Sequence, residues 1–498
     1  VRQTGGAFGS TIGRETVGIY GRESVRGFSP VTADNARIDG LCRIGWNLLP
    51  SDSICCATIA CDRHRPDNMR GEGGALSWQH HRSGDRMPIV TPFLGQRPRR
   101  LMASFAVCAS IAVSPCAAQD ANEERDGDAI TIEPNALLQL DAGGPIAGSG
   151  DGDVLGAGAN FRRARLGIVG HLPEGFEFTL EWDFGGRPGS HNRIYEASAA
   201  WTGIDGVSVR AGAFEPNFSL QQDRSAQALL FLERSAVVDI AREIATDTAR
   251  VAFQARANGD RWFASAAVTG GQAGPSYDGS ERGAVLRVTG LPIKTDDLTV
   301  HAGVSLARSF RPKRGSGKGG ERGFSFTATP ELSLASGDPA LDTGAISADG
   351  GHAAGLEGAF SWRRWQAQGE IYRIGVDHAE GGWRFSGWYV EVSRVLAGRS
   401  RDYQARNATW DAPRTPDEDF NPAAGSWGTL EAGARYSRLD LNDRDVRGGR
   451  QQVWTAGLAW WPVRRFALQL QYQAGSISNI EDNDRTFHAV AVRTQLVL

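Results

Sequence analysis

From Gln451 to the end, the chain alternates apolar and polar residues with a period of two, and this pattern limits what it can fold into. Trp454, Ala456, Leu458 and Trp460 fall on one face of an extended chain. After a tight turn at 462–465, Phe466, Leu468, Leu470 and Tyr472 do the same, opposite Ala467, Gln469, Gln471 and Gln473. Successive side chains of a strand point to opposite sides of its sheet. One side is therefore apolar with aromatics near its ends, and the other is uncharged but wet. A soluble sandwich would bury the apolar side in a dry core. A membrane barrel turns it to lipid and lets the polar side line water.

The alternation recurs along the chain. Phe176, Phe178, Leu180, Trp182 and Phe184 face away from Glu177, Thr179, Glu181 and Asp183. Tyr195, Ala197, Ala199 and Trp201 oppose Glu196 and Ser198; Val251 and Phe253 oppose Arg250, Gln254 and Arg256. Leu298, Val300, Ala302, Val304 and Leu306 oppose Thr299, His301 and Ser305, and Leu430, Ala432, Ala434 and Tyr436 oppose Glu431, Arg435 and Ser437. Charges recur on the inner side of strand after strand. A dry core could not absorb them, because each unpaired buried charge costs several kcal/mol; a water-filled lumen can. The sequence thus reads as all-β, a transmembrane antiparallel barrel.

The first part of the chain is of another kind. All six cysteines and all three methionines lie before residue 117. Arg97, Arg99 and Arg100 precede an apolar run from Leu101 to Val113, too short for a helical span, and Cys116-Ala117-Ala118 offers small residues for cleavage. We expect a signal peptide at 87–118 cleaved after Ala118, a disordered upstream extension at 1–86 arising from a mistaken start, a periplasmic linker at 119–134 and the barrel at 135–498. Cys55, Cys56, Cys61 and His64 match no paired zinc spacing. No metal or cofactor is expected. Beyond Ala118 the chain has no cysteine, as suits export through an oxidising compartment. It carries 40 basic and 48 acidic residues there, a net charge near −8, which argues against nucleic acid.

Connections alternate in length. Short turns at 171–175, 202–206, 258–261, 291–297, 363–364 and 462–465 alternate with Gly/Asp/Ser-rich loops at 143–160, 185–193, 214–248, 270–283, 309–322 and 475–486. Short turns on one side and long loops on the other is the outer-membrane pattern. The long stretches 330–352 and 397–426 break it, since both should face the periplasm. Seventeen strands can be marked, and a chain with both ends on one side needs an even number. One is therefore missed or miscalled, near 341–347; we expect 16, with 18 as the alternative. A barrel of that size leaves an aqueous channel.

The segments FRRARLGIVGHLPEGFEFTLEWDFGG (161–186), RAGAFEPNFSLQQDRSAQALLFLERS (210–235), GWYVEVSRVLAG (387–398), WGTLEAGARYSRLDLND (427–443) and GLAWWPVRRFALQLQYQ (457–473) together resemble the phosphate-selective porin O/P family of Gram-negative outer membranes. The resemblance implies diffusion of small hydrophilic solutes or anions, phosphate among them. It also implies a homotrimer of barrels in outer-membrane lipid and a third loop folded inward to narrow each pore. That loop is 215–248 here, with Arg224, Glu233, Arg234 and Arg242 as constriction candidates. The alternative is a surface loop, in which Ala226–Phe231 is helix-compatible. Arg163, Arg165, Arg210, Arg256 and Arg287 are lumen-wall candidates, with Arg250 a further inner-face arginine.

Only three lysines follow Ala118 (Lys294, Lys313 and Lys318), so a lysine ladder through the lumen is absent and arginine would have to replace it. Glu177, Glu181, Asp183, Glu196, Glu357 and Glu370 are also inward. The chain ends in leucine rather than the aromatic residue usual for such barrels. No nucleophile elbow or zincin motif is present. His301 and Ser305 share a wall face, which reads as lumen polarity rather than catalysis. The expected function is a porin; the alternatives are a closed structural or adhesive barrel and a barrel hydrolase.

Overall fold

Sixteen antiparallel strands, each hydrogen-bonded to its neighbour in sequence, close into a barrel as the last pairs with the first. The computed structural model describes residues 130–149, 155–186, 193–247, 249–274, 277–334, 339–413, 420–478 and 485–498, with the short pairs 37–38 and 41–42. The chain divides into two compact units, Val1–Val113 and Ser114–Leu498. In the first, Arg37–Ile38 pairs antiparallel with Leu41–Cys42. Otherwise the expected extension, signal peptide and most of the linker lie outside the described residues.

The strands are β1 (Thr131–Ser149), β2 (Gly158–Leu172), β3 (Phe176–Asp183), β4 (Arg193–Ile204), β5 (Val207–Phe214), β6 (Arg250–Asn258), β7 (Trp262–Gln272) and β8 (Arg282–Lys294). They continue with β9 (Leu298–Arg311), β10 (Gly350–Trp362), β11 (Trp365–Asp377), β12 (Trp383–Ala397), β13 (Thr429–Asp443), β14 (Val446–Val463), β15 (Phe466–Ser478) and β16 (Arg485–Val497). The alternation sorts as polar inside and apolar outside: Leu356 is 60 % exposed and its neighbour Glu357 only 6 %. Closure is completed by reciprocal backbone bonds between Ala136 and Leu498, at 3.2 and 3.0 Å.

One connection lies at the opposite end from that expected. No strand crosses between β9 and β10, because those two pair directly, Leu306 opposite Ala354. The residues between them form a single connection, 312–349, at the long-loop end. Inside it, Gly323–Phe324 pairs with Ile346–Ser347 and Thr327–Ala328 with Leu341–Asp342. The stretch 330–352 therefore belongs to a long loop rather than to the turn side. The barrel count is 16, as expected, and the short ladders at 341–347 lie in this loop rather than in the barrel.

Two bulges re-aim side chains. Gln139 stands opposite Arg163 and Leu140 opposite Phe161, which leaves Arg162 as an extra residue on β2. Glu181 stands opposite Glu196 and Trp182 opposite Ile194, which leaves Tyr195 extra on β4. A bulge places two residues against one and shifts the inside–outside phase. Tyr195, expected on the lipid face, consequently stacks under the Arg165 guanidinium, 3.4 Å from ring centre to Cζ.

Candidate functional site

The connection from β5 to β6, residues 215–249, makes its contacts with the inner wall. It contains a short helix, α1 (Leu220–Asp223), capped by Ser219, whose Oγ accepts from Gln222 N at 3.0 Å. The first backbone N–H groups of a helix lack intrahelical partners. Here wall carboxylates supply them: Leu220 N donates to Glu357 and Glu370 at 3.1 and 3.0 Å, and Gln221 N donates to Glu370 at 3.1 Å. Further along, α2 (Ala236–Glu243) buries Val237, Val238 and Ile240. The stretch expected to suit a helix, 226–231, forms only one tight turn at Ala226–Ala228. Two inner-wall glycines receive the loop's apolar side chains. A Cβ on Gly457 would come within 3.0 Å of the Phe231 ring, and one on Gly387 within 2.7 Å of Val237.

A second segment enters from the turn end. The connection from β12 to β13 carries a hairpin of Arg401–Gln404 with Thr409–Pro413. Arg401 grips Glu431 with two hydrogen bonds, of 3.0 and 2.6 Å, and donates to Ala228 O at 2.7 Å. Thr409 Oγ1 donates to Leu220 O at 3.2 Å, so the two segments meet inside the barrel. The hairpin also covers His301. Its Nδ1 lies 3.0 Å from Tyr403 Oη, its Nε2 lies 2.8 Å from Glu357, and the Trp410 ring closes over it. Ser305 bonds Glu357 as well, at 3.4 Å. The His/Ser pair is thus committed to the wall.

A cavity of about 290 Å3 remains between the loop and the β1–β6 wall. Another of about 770 Å3, sharing Gln227 with the first, reaches Arg464, Arg465 and Leu498 at the turn end. Five of the nine candidates line the first cavity: Arg165, Arg210 and Arg256 from the wall, Arg224 and Arg234 from the loop. The other four hold the loop in place. Arg287 bonds Asp223 at 2.6 Å and Glu357 at 2.7 Å. Glu233 is bonded by Arg162 and lies 3.8 Å from Arg163. Arg242 stays within the loop, 2.9 Å from Glu215 and 3.2 Å from Asp239. Arg250 pairs with Glu281 at 2.8 Å, away from this cavity.

Five arginines and four carboxylates line the cavity. Its four carboxylates each have an arginine: Glu181 with Arg165 (3.8 Å), Glu196 with Arg210, Glu215 with Arg242 (2.9 Å) and Asp223 with Arg287 (2.6 Å). Arg234 instead donates to three backbone carbonyls, those of Gln221, Gln222 and Arg224, at 3.0, 3.1 and 2.9 Å. Arg256 donates to Ser208 and to Asn407 Oδ1. Two guanidinium groups thus face the cavity on neutral partners. Burial and the neighbouring Arg242 pull the Arg234 guanidinium below its usual range. Burial would raise Glu215, but Arg242 and Arg234 outweigh it and hold that carboxyl low. Asp223 goes the other way: burial pushes it up to about 6 against the pull of Arg287.

Over residues 138–498 the sequence matches the family described as phosphate-selective porin O and P. The chain belongs to that family. It is a porin of the Gram-negative outer membrane. An uncharacterised protein of Caulobacter vibrioides is 28% identical over 383 residues, 74% of each chain. Porin O of Pseudomonas aeruginosa is 24% identical over 358 residues, covering 66% of this chain and 78% of that one. Among solved structures, OprB of Pseudomonas putida aligns over 74% of this chain and 94% of its own, with 10% identity and a TM-score of 0.48.

Several residues of the porin's lumen carried no sequence signal. Arg162 and Tyr195 enter it through bulges. Glu331, in the connection between β9 and β10, accepts from Ala236 N at 3.0 Å and from Arg435 and Ser437 at 2.6 Å each. It thereby clamps the start of α2 to the wall. The hairpin 401–413 lies in a stretch that the sequence marked only as long and periplasmic.

Proposed function

We propose that this porin passes small anions by diffusion, phosphate among them, through a constriction between Arg224 and Arg234 of the loop and Arg165, Arg210 and Arg256 of the wall. One observation carries the reading: Arg234 and Arg256 face the passage without a carboxylate partner, while every carboxylate around it is paired. Fixed positive charge in a narrow, low-dielectric passage raises the local concentration of anions. Guanidinium groups already engaged by backbone and amide oxygens have fewer free donors, which limits how tightly a phosphate is gripped and favours release.

The protein works as a channel rather than an enzyme in this reading, after export by a signal peptide cleaved behind Ala118. It assembles as a homotrimer. The outward alanines of β4–β7, where Ala199 stands opposite Ala211 and Ala255 opposite Ala266, offer a smooth face for close approach of a second barrel.

The test is the reversal potential of single channels of the outer-membrane-extracted protein in a salt gradient. An anion-selective sign that shifts on adding phosphate supports the reading. A zero or cation-selective potential rejects it. The meeting of Thr409 with Leu220 favours a second reading, a closed structural barrel, and absence of conductance would select that one.

A further inference from the structure

The outer surface carries three arginines that nothing in the described residues engages. Arg373, Arg384 and Arg438 occupy outward positions of β11, β12 and β13; the first two are exposed and the third is half-buried. Arg373 stands opposite Ser386, Arg384 opposite Gly375 and Arg438 opposite Trp388. Neighbouring strands are about 4.8 Å apart and a strand rises about 3.4 Å per residue, so with Arg373 level with Ser386 and Arg438 with Trp388 the three side chains spring from a patch roughly 10 Å across the strands and roughly 14 Å along them.

The nearby acids are occupied elsewhere. Asp377 pairs with Arg308 at 2.6 Å and Asp440 with Arg450 at 2.7 Å. Asp443 accepts the backbone N–H of Arg384, at 2.8 Å, and not its guanidinium. The outward arginines of the turn end differ: Arg394 lies over the Trp365 ring at 5.1 Å, and Arg363 over Trp362 at 5.4 Å.

Height on the barrel identifies what the patch meets. Arg373 lies eight residues beyond Trp365, and Arg438 nine beyond Thr429. About 9–11 residues carry a tilted strand across the hydrocarbon. The patch therefore sits at the far interface, beside an aromatic row in which Trp388 and Tyr436 are 5.2 Å apart and Tyr436 and Trp454 4.6 Å. Long loops mark that end as the outer one.

We infer that Arg373, Arg384 and Arg438 bind the phosphate groups of a phosphorylated glycolipid in the outer leaflet. Planar guanidinium groups grip phosphate oxygens bidentately, and the apolar belt below accepts the acyl chains. A second copy of the chain fits less well. The outward residues of β5–β8 toward the same end, such as Ala213, Val251, Val268 and Leu286, would leave three arginines buried without a counter-charge. The inference is independent of the pore's selectivity.

The experiment is native mass spectrometry of the outer-membrane-extracted protein, stripped of lipid and titrated with bis-phosphorylated lipid A. Wild-type protein should bind it at least about tenfold more tightly than R373Q/R384Q/R438Q, since each basic group at a charged surface contributes a few-fold. The unphosphorylated glycolipid with the same acyl chains should bind both proteins equally, and inorganic phosphate alone should leave no adduct. Unchanged conductance and heat-modifiable gel mobility show that the variant is folded. If it does not insert, Arg438→Gln alone, with a loss of about threefold, carries the test. Equal lipid A binding by wild type and variant overturns the inference, as does a variant that changes subunit number without changing lipid binding.

Discussion

Arg287 Nη1 lies 2.6 Å from Asp223 Oδ2, and through this bond a fully buried wall arginine holds the constriction helix from behind. The same guanidinium reaches Glu357 on β10 and the carbonyls of Asn407 and Ala408 on the inserted hairpin. One side chain thus joins the wall, the third loop and the segment from the turn end. Arg287→Ala leaves Asp223 and Glu357 buried without that partner, a cost on the order of 3–5 kcal/mol. We expect barrel assembly to persist, the loop to become protease-sensitive and single-channel current to turn noisy. Unchanged protease resistance would show that the loop does not depend on this arginine.

Arg234→Ala removes one of the two cavity-facing arginines that have no carboxylate partner. The anion-to-cation permeability ratio should fall by roughly threefold, with Arg256→Ala acting in the same direction and the pair adding. Arg242→Ala, whose guanidinium is spent on Glu215 and Asp239, should loosen the loop instead. Reversal potentials measured side by side distinguish these outcomes.

Selectivity should depend on pH through Asp223. Its carboxyl titrates at about 6, above its ordinary value of 3.8. It is negative at pH 7 and neutral at pH 5, so the cavity gains positive charge as pH falls and anion preference rises. Asp223→Asn should fix the channel in its low-pH behaviour. The effect on stability runs in the same direction: a carboxyl whose folded pKa is raised favours the folded state in acid, and that contribution is lost as pH rises through about 6. Glu233 is opposite in sign. Burial would raise it, but Arg162 and Arg163 hold it well below the usual range. Its anchoring contribution is therefore present at neutral pH and disappears only in strong acid. Reversal potentials across pH 5 to 7, on wild type and Asp223→Asn, check the selectivity.

Gly457→Val places methyl groups where the Phe231 ring now lies, 3.0 Å from an added Cβ. Overpacking of this kind costs about 1–3 kcal/mol. The loop should lift at its 229–232 end and single-channel conductance should rise, while the outward face of β14 and hence membrane insertion are unaffected.

The barrel itself was legible because a period of two admits few solutions once charges recur on one face. Gln469, Gln471 and Gln473 point inward as the alternation requires. The phase slips at Arg162 and Tyr195 were not legible. Neither bulge carries a glycine or proline, and the extra residue is defined only by the register of a neighbouring strand. The hairpin at 401–413 escaped for another reason: its polar composition suits a water-filled lumen as well as the periplasm. Which arginines line the passage and which hold the loop depends on partners far away in sequence, as with Arg287 and Asp223.

Residues 215–249 leave the barrel after its fifth strand, yet much of what holds them comes from its last ones. Leu232 N donates to Gln471, Gln469 to Leu229 O and Gln495 to Gln227 O, across more than two hundred residues in each case. Contacts that remote form late, after the intervening chain has been organised. The eyelet is therefore finished at the moment of closure: a nascent barrel lacking β15 and β16 holds its strap by the 220–223 end but leaves the 227–232 end loose beside a gaping side, and it becomes a selective pore in the same step that makes it a sealed one.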